Sequence, residues 1–338
     1  MQAMAESSPT ISVIVPLYNA AATIEANLAP LRDMLHRREI AELIVVDDGS
    51  TDASIELVSR HGEVRIVRRS VRAGPAAARN TGSAEARGDY LWFVDSDVVV
   101  APDAARVLGT MLAELQPQAV IGSYDDAPAA RNFLSQYKNL VHSYYHHRGR
   151  RQASTFWSGC GAVRRDVFLA LDGFDAARYP YPSIEDIDLG YRIRAAGGGI
   201  VLEPTLQGKH LKEWRLANLL HTEIFRRAIP WSLLMLERKE LTDDLNVGRS
   251  ERLRAVLALA CLLAILASLG GWVPVWLPFA IGAVTVLANR ALLGFFTAKR
   301  GVWFAARAFV FHQFYYLYSS ASFATAALRH MGAARVVR

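Results

Sequence analysis

The chain has 338 residues, of which 52% are hydrophobic, and a formal net charge of +6. This length allows one catalytic domain of ordinary size and an additional region. Its two cysteines, Cys160 and Cys261, exclude a disulfide framework or a cysteine metal site and suit a reducing cytosol. The basic residues are scattered and form no recognition module, so we predict no nucleic-acid partner and expect the charge to suit anionic lipid headgroups.

The first hundred residues alternate between apolar runs and helical patterns. The polar start, Met1 to Thr10, and the short run that contains Pro16 do not resemble a secretory signal, so we expect this part to stay in the cytoplasm. The apolar runs predict strands at 11–15, 43–46, 64–67 and 90–94, and helical spacing predicts helices from Ile24 to Leu35, at 52–60 and at 75–86. This alternation predicts an α/β fold with a Rossmann-like, mostly parallel sheet.

Polar residues follow all four predicted strands, at the edge of the sheet where ligands of such folds gather. Any one of these groups could be an ordinary turn or helix cap, but four together favour a binding site. They are Tyr18 and Asn19, then 47–50, then Gly74 to Asn80, and finally Asp95, Ser96 and Asp97.

Asp95 and Asp97 come directly after the predicted strand 90–94. Mg²⁺ and Mn²⁺ prefer one or two carboxylates together with phosphate oxygens. We therefore predict that this pair holds a diphosphate through a divalent cation, which would neutralise a departing diphosphate.

Six motifs together resemble the family 2 glycosyltransferases, which have the GT-A fold. The resemblance spans roughly Ile11 to His210, and it rests on 15–19, 45–52, 74–80, Asp95 to Asp97, 158–161 with 173–175, and 185–189.

The resemblance implies a binding site for a nucleotide sugar, with UDP as the expected nucleotide. Pro16 and Tyr18 would line the base and ribose, Asn19 and Ser96 would belong to the same site, and Gly74 would permit close approach of the nucleoside. Asp47 or Asp48 would accept hydrogen bonds from the base, and Arg79 would pair with the base or the phosphates. Asp95 would contact the ribose or the sugar, and Asp97 would be the principal metal ligand.

The resemblance also implies a catalytic base for inversion. Asp186 would take the proton from an acceptor hydroxyl, and Glu185 would lie on the acceptor side, although an acidic first turn of a helix is the alternative explanation. His210 is a candidate metal ligand or phosphate contact. Five further residues are candidates for contact with the acceptor or the diphosphate: Gly159, Cys160, Gly161, Lys212 and Trp214.

Between the motifs, Tyr144 to Arg151 mixes aromatic and basic residues. Two interpretations of this segment remain open. One is a solvated loop, and the other is a mobile lid or acceptor loop that also touches lipid headgroups.

The C-terminal part contains a stretch from Ala255 to Asn289 without a charged residue, interrupted by 270–274. We predict two membrane helices, 253–269 and 272–289, and a third embedded helix of unassigned topology at 302–328. The flanking arginines and lysines predict that both ends of the first pair face the cytoplasm. A third span would place Arg329, Arg335 and Arg338 outside, and a re-entrant or interfacial helix would keep them inside. Before these helices, 213–250 has the pattern of an amphipathic helix in the membrane interface, with a break at Pro230. Packing onto the catalytic domain is the competing explanation.

The predicted domains are thus a GT-A catalytic domain (1–212), an interfacial segment (213–250) and a transmembrane region (251–338). The favoured hypothesis is an inverting, metal-dependent transferase of the inner membrane. It would move a sugar from a UDP-sugar to a hydroxyl of a lipid or lipid-linked acceptor at the cytoplasmic face, in the synthesis of an envelope polysaccharide or glycolipid.

Three alternatives were weighed. A polyprenyl-phosphate glycosyltransferase has an anionic acceptor and needs no base, so Glu185 and Asp186 argue against it. A processive synthase would need more helices and a Gln-x-x-Arg-Trp sequence, which the chain lacks. An inactive membrane scaffold or sugar-nucleotide sensor would be expected to lack the metal or base carboxylates, and both are present.

Overall fold

The structure is a computed structural model that describes residues 8–241 and 243–336, with side chains as far as residue 332. The start of the polar N-terminal stretch, the side chain of Arg335 and all of Arg338 lie outside the described residues. Those described divide into two compact units at Glu213 and Trp214.

The first unit is built around one nine-stranded sheet. The strands are β1 Ile11–Leu17, β2 Glu42–Asp47, β3 Arg65–Arg68, β4 Tyr90–Val94, β5 Val98–Val100, β6 Ala119–Tyr124, β7 Gln152–Ala153, β8 Cys160–Arg164 and β9 Ile200–His210. Their order is β3-β2-β1-β4-β8-β6-β9-β5, with β7 paired to β9.

The sheet is mixed, which corrects the prediction of a mostly parallel one. The pairs β3–β2, β2–β1, β1–β4 and β6–β9 are parallel, whereas β4–β8, β8–β6, β9–β5 and β9–β7 are antiparallel. One physical reason is β8, which enters between β4 and β6 in the opposite direction. The short strands β5 and β7 also run opposite to β9. The sequence of β8 carries a glycine motif and not a long apolar run, so periodicity did not identify it as a strand.

Seven helices surround the sheet in this unit: α1 Ile24–His36, α2 Ser54–Ser59, α3 Gly74–Glu85, α4 Ala104–Leu115, α5 Phe133–Arg148, α6 Arg165–Ala170 and α7 Glu185–Ala195. The apolar faces of α1 and α4 share a core with alternate residues of β1, β2 and β4. α3 packs on the opposite face, where Gly82 approaches Ile14 and Val46. Because both faces are covered, β1 and β4 are buried along almost their whole length.

Neither explanation offered for Tyr144 to Arg151 holds for its first part. Residues as far as Arg148 form the last turns of α5, and the side chains of Tyr144, Tyr145 and His146 are buried. His146 Nδ1 lies 2.8 Å from the carbonyl of Gly122 on β6. The aromatic residues therefore anchor α5 to the sheet. The prediction failed because burial of these rings depends on contact with β6, which the local mixture of polar and apolar residues does not indicate.

The second unit is helical throughout its described elements. It contains α8 Leu216–His221, a π-helical segment Thr222–Ala228, α9 Ile229–Arg238, a short 3₁₀ turn Leu245–Val247, α10 Arg249–Leu269, α11 Trp276–Ala288, α12 Arg290–Arg300 and α13 Val302–Val336. The predicted break at Pro230 is wrong: the helix continues through it. The wider π turn directly before Pro230 accommodates the ring and its missing N–H.

The structure supports fewer membrane-spanning helices than the sequence predicted. Among the described residues, α10 is the one helix that is long and apolar enough to cross a bilayer by itself. α11 and α12 meet this criterion only as a pair, and they are bent by 68° at Asn289. α11 has 13 residues, about 20 Å of helix, against a hydrocarbon core of about 30 Å. A second separate span at 272–289 is therefore not confirmed, and neither is an embedded helix at 302–328.

Candidate active site

The turns after β1 and β2 are held together by side-chain hydrogen bonds. Asn19 Oδ1 accepts from the backbone of Thr51 at 2.8 Å, and the Asn19 N–H donates to Ser50 Oγ at 3.1 Å. Beside them, the guanidinium of Arg72 lies 3.8 Å from the centre of the Tyr18 ring. Pro16 and Tyr18 are both half-buried. The first two predicted groups of site residues therefore form one edge of a single surface.

Asp47 and Asp48 are both buried but have different partners. Asp47 accepts from the backbone of Ser50 at 2.9 Å and so closes its own turn. Asp48 accepts from Arg69 Nε at 3.0 Å and from the backbone of Ala73 and Gly74, the latter at 2.7 Å. Asp48 thus lies against the segment that leads into α3, and Asp47 does not.

Gly74 itself lies in a position that only glycine fits. Its φ angle is +88°, and a Cβ atom there would lie 2.4 Å from the carbonyl oxygen of Pro180. The start of α3 therefore packs directly on the 180–181 segment.

Arg79 links the two predicted groups of carboxylates. It is buried, with Nη2 donating to Asp95 at 2.6 Å and Nη1 donating to Glu185 at 3.0 Å. Burial would lower the pKa of Arg79, but the two carboxylates raise it. Burial also raises the pKa of both Asp95 and Glu185, against the opposing charge of Arg79.

Asp97 and His210 form a second pair in the site, with Oδ2 and Nε2 3.5 Å apart. Burial opposes charge on Asp97, but the hydrogen bond and charge of His210, assisted by Lys212, lower its pKa. The imidazole of His210 also stacks on Tyr124 at 4.4 Å with an interplanar angle of 12°. An ionised carboxylate beside an imidazole nitrogen fits a divalent cation whose remaining ligands are phosphate oxygens and water. Within the described part of the chain, no three His, Cys, Asp or Glu side chains form a complete metal site.

Asp186 occupies the first turn of α7 and is half-buried. Its Oδ2 accepts from the backbone and the hydroxyl of Ser158, at 3.1 and 3.2 Å, and its Oδ1 accepts from the backbone of Ile187 at 2.8 Å. These three donors fix the orientation of the carboxylate. Its charge also contributes to raising the pKa of Asp95 and Glu185, so the three carboxylates lie in one electrostatic environment.

The glycine motif supports the carboxylates through its backbone. The carbonyl of Gly159 accepts from the N–H of Asp95 at 3.2 Å, and Gly161 packs so closely on Trp157 that a Cβ would lie 2.2 Å from its carbonyl oxygen. The side chain of Cys160 is fully buried, and burial raises the pKa of its thiol to about 12. Cys160 is therefore neutral, and its contribution is structural.

The structure thus brings most of the predicted residues to one edge of the sheet. Ser96 lies in the turn between β4 and β5. Trp214 is buried and is the first residue of the second unit. Two residues next to the site were missed: Tyr124, which ends an ordinary apolar strand and carries no signal, and Asn27. Asn27 stands within the apolar stripe of α1, and a polar residue at such a position is a signal that could have been used.

Comparisons with known proteins identify similar sequences and a similar fold. The sequence model described as "Glycosyl transferase family 2" matches residues 12–171. An uncharacterized glycosyltransferase of Haemophilus influenzae is 39% identical over 99 residues, which cover 28% of this chain and 39% of that protein. Glycosyltransferase GlyG of Streptococcus pneumoniae is 33% identical over 121 residues, which cover 35% of this chain and 40% of that one. The chain therefore spans about two fifths of the length of these relatives.

Among solved structures, the mannosyltransferase PcManGT from Pyrobaculum calidifontis, in complex with GDP-Man and Mn²⁺, superposes with a TM-score of 0.62 at 22% identity. The alignment covers 94% of this chain and 87% of that one. At this identity the likeness concerns the fold. Together with the family match and the motifs at the strand ends, it leads to one conclusion: residues 12–171 of this chain belong to glycosyl transferase family 2.

Proposed function

We propose that the protein is an inverting, metal-dependent glycosyltransferase that moves a sugar from a nucleoside-diphosphate sugar to an acceptor hydroxyl. The observation that carries the proposal is the bridge from Asp95 through Arg79 to Glu185. Through Arg79, the carboxylate of Asp95, which lies beside the proposed metal ligand Asp97, is joined to α7, the helix that carries the proposed base Asp186. Donor and acceptor chemistry therefore share one rigid site.

For the donor, we assign the base to the surface formed by Pro16, Tyr18 and Asn19. Asp48 is the better candidate for the hydrogen bond to the base, because it lies against Gly74 and the start of α3. UDP is the proposed nucleotide, and GDP is the alternative, since the similar mannosyltransferase structure contains GDP-Man.

For the leaving group, Asp97 and His210 would hold the cation and Lys212 would add positive charge. When bound, Mn²⁺ or Mg²⁺ would neutralise charge on the diphosphate. The imidazole of His210 favours Mn²⁺, because Mg²⁺ prefers oxygen ligands.

For the acceptor, Asp186 would take the hydroxyl proton as the oxygen attacks the anomeric carbon from the face opposite the diphosphate. Ser158 and the backbone of Ile187 orient the carboxylate for this role. Glu185 is already paired with Arg79, so we assign it to positioning.

We further propose a lipid or lipid-linked acceptor at the cytoplasmic face of the inner membrane. Only 11% of the most apolar part of α10 is buried within the structure, unlike the core helix of a soluble protein. Large apolar side chains such as Leu269 and Phe279 are exposed on α10 and α11, and Trp272 is exposed on the turn between them. A bilayer would cover these surfaces, and the basic residues that flank them suit the cytoplasmic side.

The test uses the full chain in detergent with a panel of UDP- and GDP-sugars, a membrane lipid extract as acceptor, and Mn²⁺, Mg²⁺ or EDTA. Release of nucleoside diphosphate is expected with one donor and a metal, and EDTA should abolish it. Asp97→Ala should lose metal-dependent donor binding, whereas Asp103→Ala, which removes an exposed carboxylate before α4, should behave as the wild type. Equal turnover in EDTA and in Mn²⁺ would refute the metal-dependent mechanism.

A further inference from the structure

The turn that carries Asp95, Ser96 and Asp97 is attached to the rest of the first unit at several backbone positions. The Val98 N–H closes the turn on itself by donating to the Asp95 carbonyl at 2.9 Å. Two bonds attach the turn to its surroundings: the Asp95 N–H donates to the Gly159 carbonyl at 3.2 Å, and the Asp97 carbonyl accepts from the Leu211 N–H at 2.9 Å. These contacts come from the sheet and from the chain after β9.

One side chain from the opposite direction completes the attachment. Nδ2 of Asn27, on α1, donates to the carbonyl of Asp95 at 3.0 Å and to that of Val98 at 2.6 Å. Asn27 is completely buried. It therefore joins the first and last residues of the turn through a single amide group.

Packing alone does not explain an asparagine at this position of α1. Ile24, Leu28 and Leu31, which are also buried, form an apolar stripe on α1, and leucine would suit the same position. Within the described residues, Oδ1 of Asn27 has no hydrogen-bond partner. A buried, unsatisfied oxygen is unfavourable and calls for an explanation, which the two bonds made by Nδ2 provide.

We infer that Asn27 is a positioning residue for the metal-binding turn: its amide fixes the backbone from Asp95 to Val98 so that the carboxylates face the diphosphate. This inference rests on the proposed function. Replacing a residue that is hydrogen-bonded to a metal ligand commonly changes metal affinity by about 10- to 100-fold. Asn27 acts one step further out, through the backbone of the turn that carries the ligand.

The experiment compares Asn27→Leu with Asn139→Leu in the full chain. Asn139, on α5, is also buried, donates from Nδ2 to a backbone carbonyl (Asp125, 2.6 Å), and has an Oδ1 without a partner among the described residues. Both variants lose a buried amide that donates to the backbone, two bonds for Asn27 and one for Asn139, but only Asn27 touches the turn. The readouts are the thermal midpoint and the Mn²⁺ concentration that half-saturates binding of UDP or GDP, whichever the wild type binds.

We expect Asn27→Leu to raise the half-saturating Mn²⁺ concentration about tenfold or more, and Asn139→Leu to leave it unchanged, whatever the change in midpoint. Asn27→Ala repeats the test if the leucine variant does not fold. A lowered midpoint with unchanged Mn²⁺ dependence would overturn the positioning role alone. A wild type that binds neither nucleotide with Mn²⁺ would overturn the proposed function and the inference with it.

Discussion

The sheet of the first unit has two halves that present their site residues differently. In the half formed by β3, β2, β1 and β4, parallel strands lead into polar turns. The partners of the first two turns lie in the same half, as when Ser50 donates to Asp47 and Thr51 donates to Asn19. In the half formed by β8, β6, β9 and β5, the key side chains depend on distant partners. Asp186 is oriented by Ser158, and His210 stacks on Tyr124. The surface assigned to the nucleobase is thus built within one half of the sheet, whereas the proposed catalytic base Asp186 and the proposed metal ligand His210 depend on partners from the other half.

The largest effect should come from replacing the proposed catalytic base, Asp186. Asp186→Asn keeps the shape and the bond from the Ser158 backbone but cannot accept the proton, so kcat should fall about 10²- to 10⁴-fold. The affinity for donor should stay near the wild-type value, because the residues assigned to the nucleotide lie in the other half of the sheet. Nucleotide release and equilibrium donor binding measure the two effects, and normal turnover would refute the assignment of the base.

The bridge between the halves should give the next largest effect. Arg79→Met leaves Glu185 buried without its charge partner, and unfolding free energy should fall by about 3–5 kcal/mol. Burial raises the pKa of Glu185 in the folded protein, so folding opposes its ionisation, and this opposition lowers stability as pH rises above the pKa of the unfolded chain. The loss should therefore be smaller at acidic pH, where Glu185 is protonated, and larger near neutrality.

Urea unfolding at two pH values measures this effect, with Arg79→Met/Glu185→Gln as the companion variant. The double substitution should recover part of the loss, since no uncompensated carboxylate remains at that position. Strictly additive losses would show that the two residues are not coupled and that the halves are joined in another way.

The smallest effect should come from one oriented hydrogen bond. Ser158→Ala removes the hydroxyl at 3.2 Å from Asp186 but keeps the backbone donor at 3.1 Å. One such bond contributes about 0.5–1.5 kcal/mol, so kcat should fall roughly 2- to 10-fold with donor binding unchanged. Steady-state kinetics separate kcat from KM. A change in KM for the donor alone would show that Ser158 contributes to donor binding and not to orienting Asp186.

The accuracy of the sequence-based expectations follows the same division. The strands and helices of the parallel half lie within a few residues of their predicted bounds, because a buried run followed by a polar turn is written in consecutive residues. β8 and the burial of Tyr144 to His146 were missed, since their partners lie far away in the sequence. In the second unit, composition identified α10 but could not show the bend at Asn289.

By itself, the sequence determined the family of residues 12–171, the α/β class and the identity of the residues at the strand ends, because turn chemistry and hydrophobic runs are local. Asp95, Ser96 and Asp97 could be found in this way. Only the tertiary structure decided that Arg79 bridges Asp95 and Glu185, and that Asn27 holds the turn from behind. These contacts join helices to segments far along the chain, and packing alone brings their atoms within hydrogen-bonding distance.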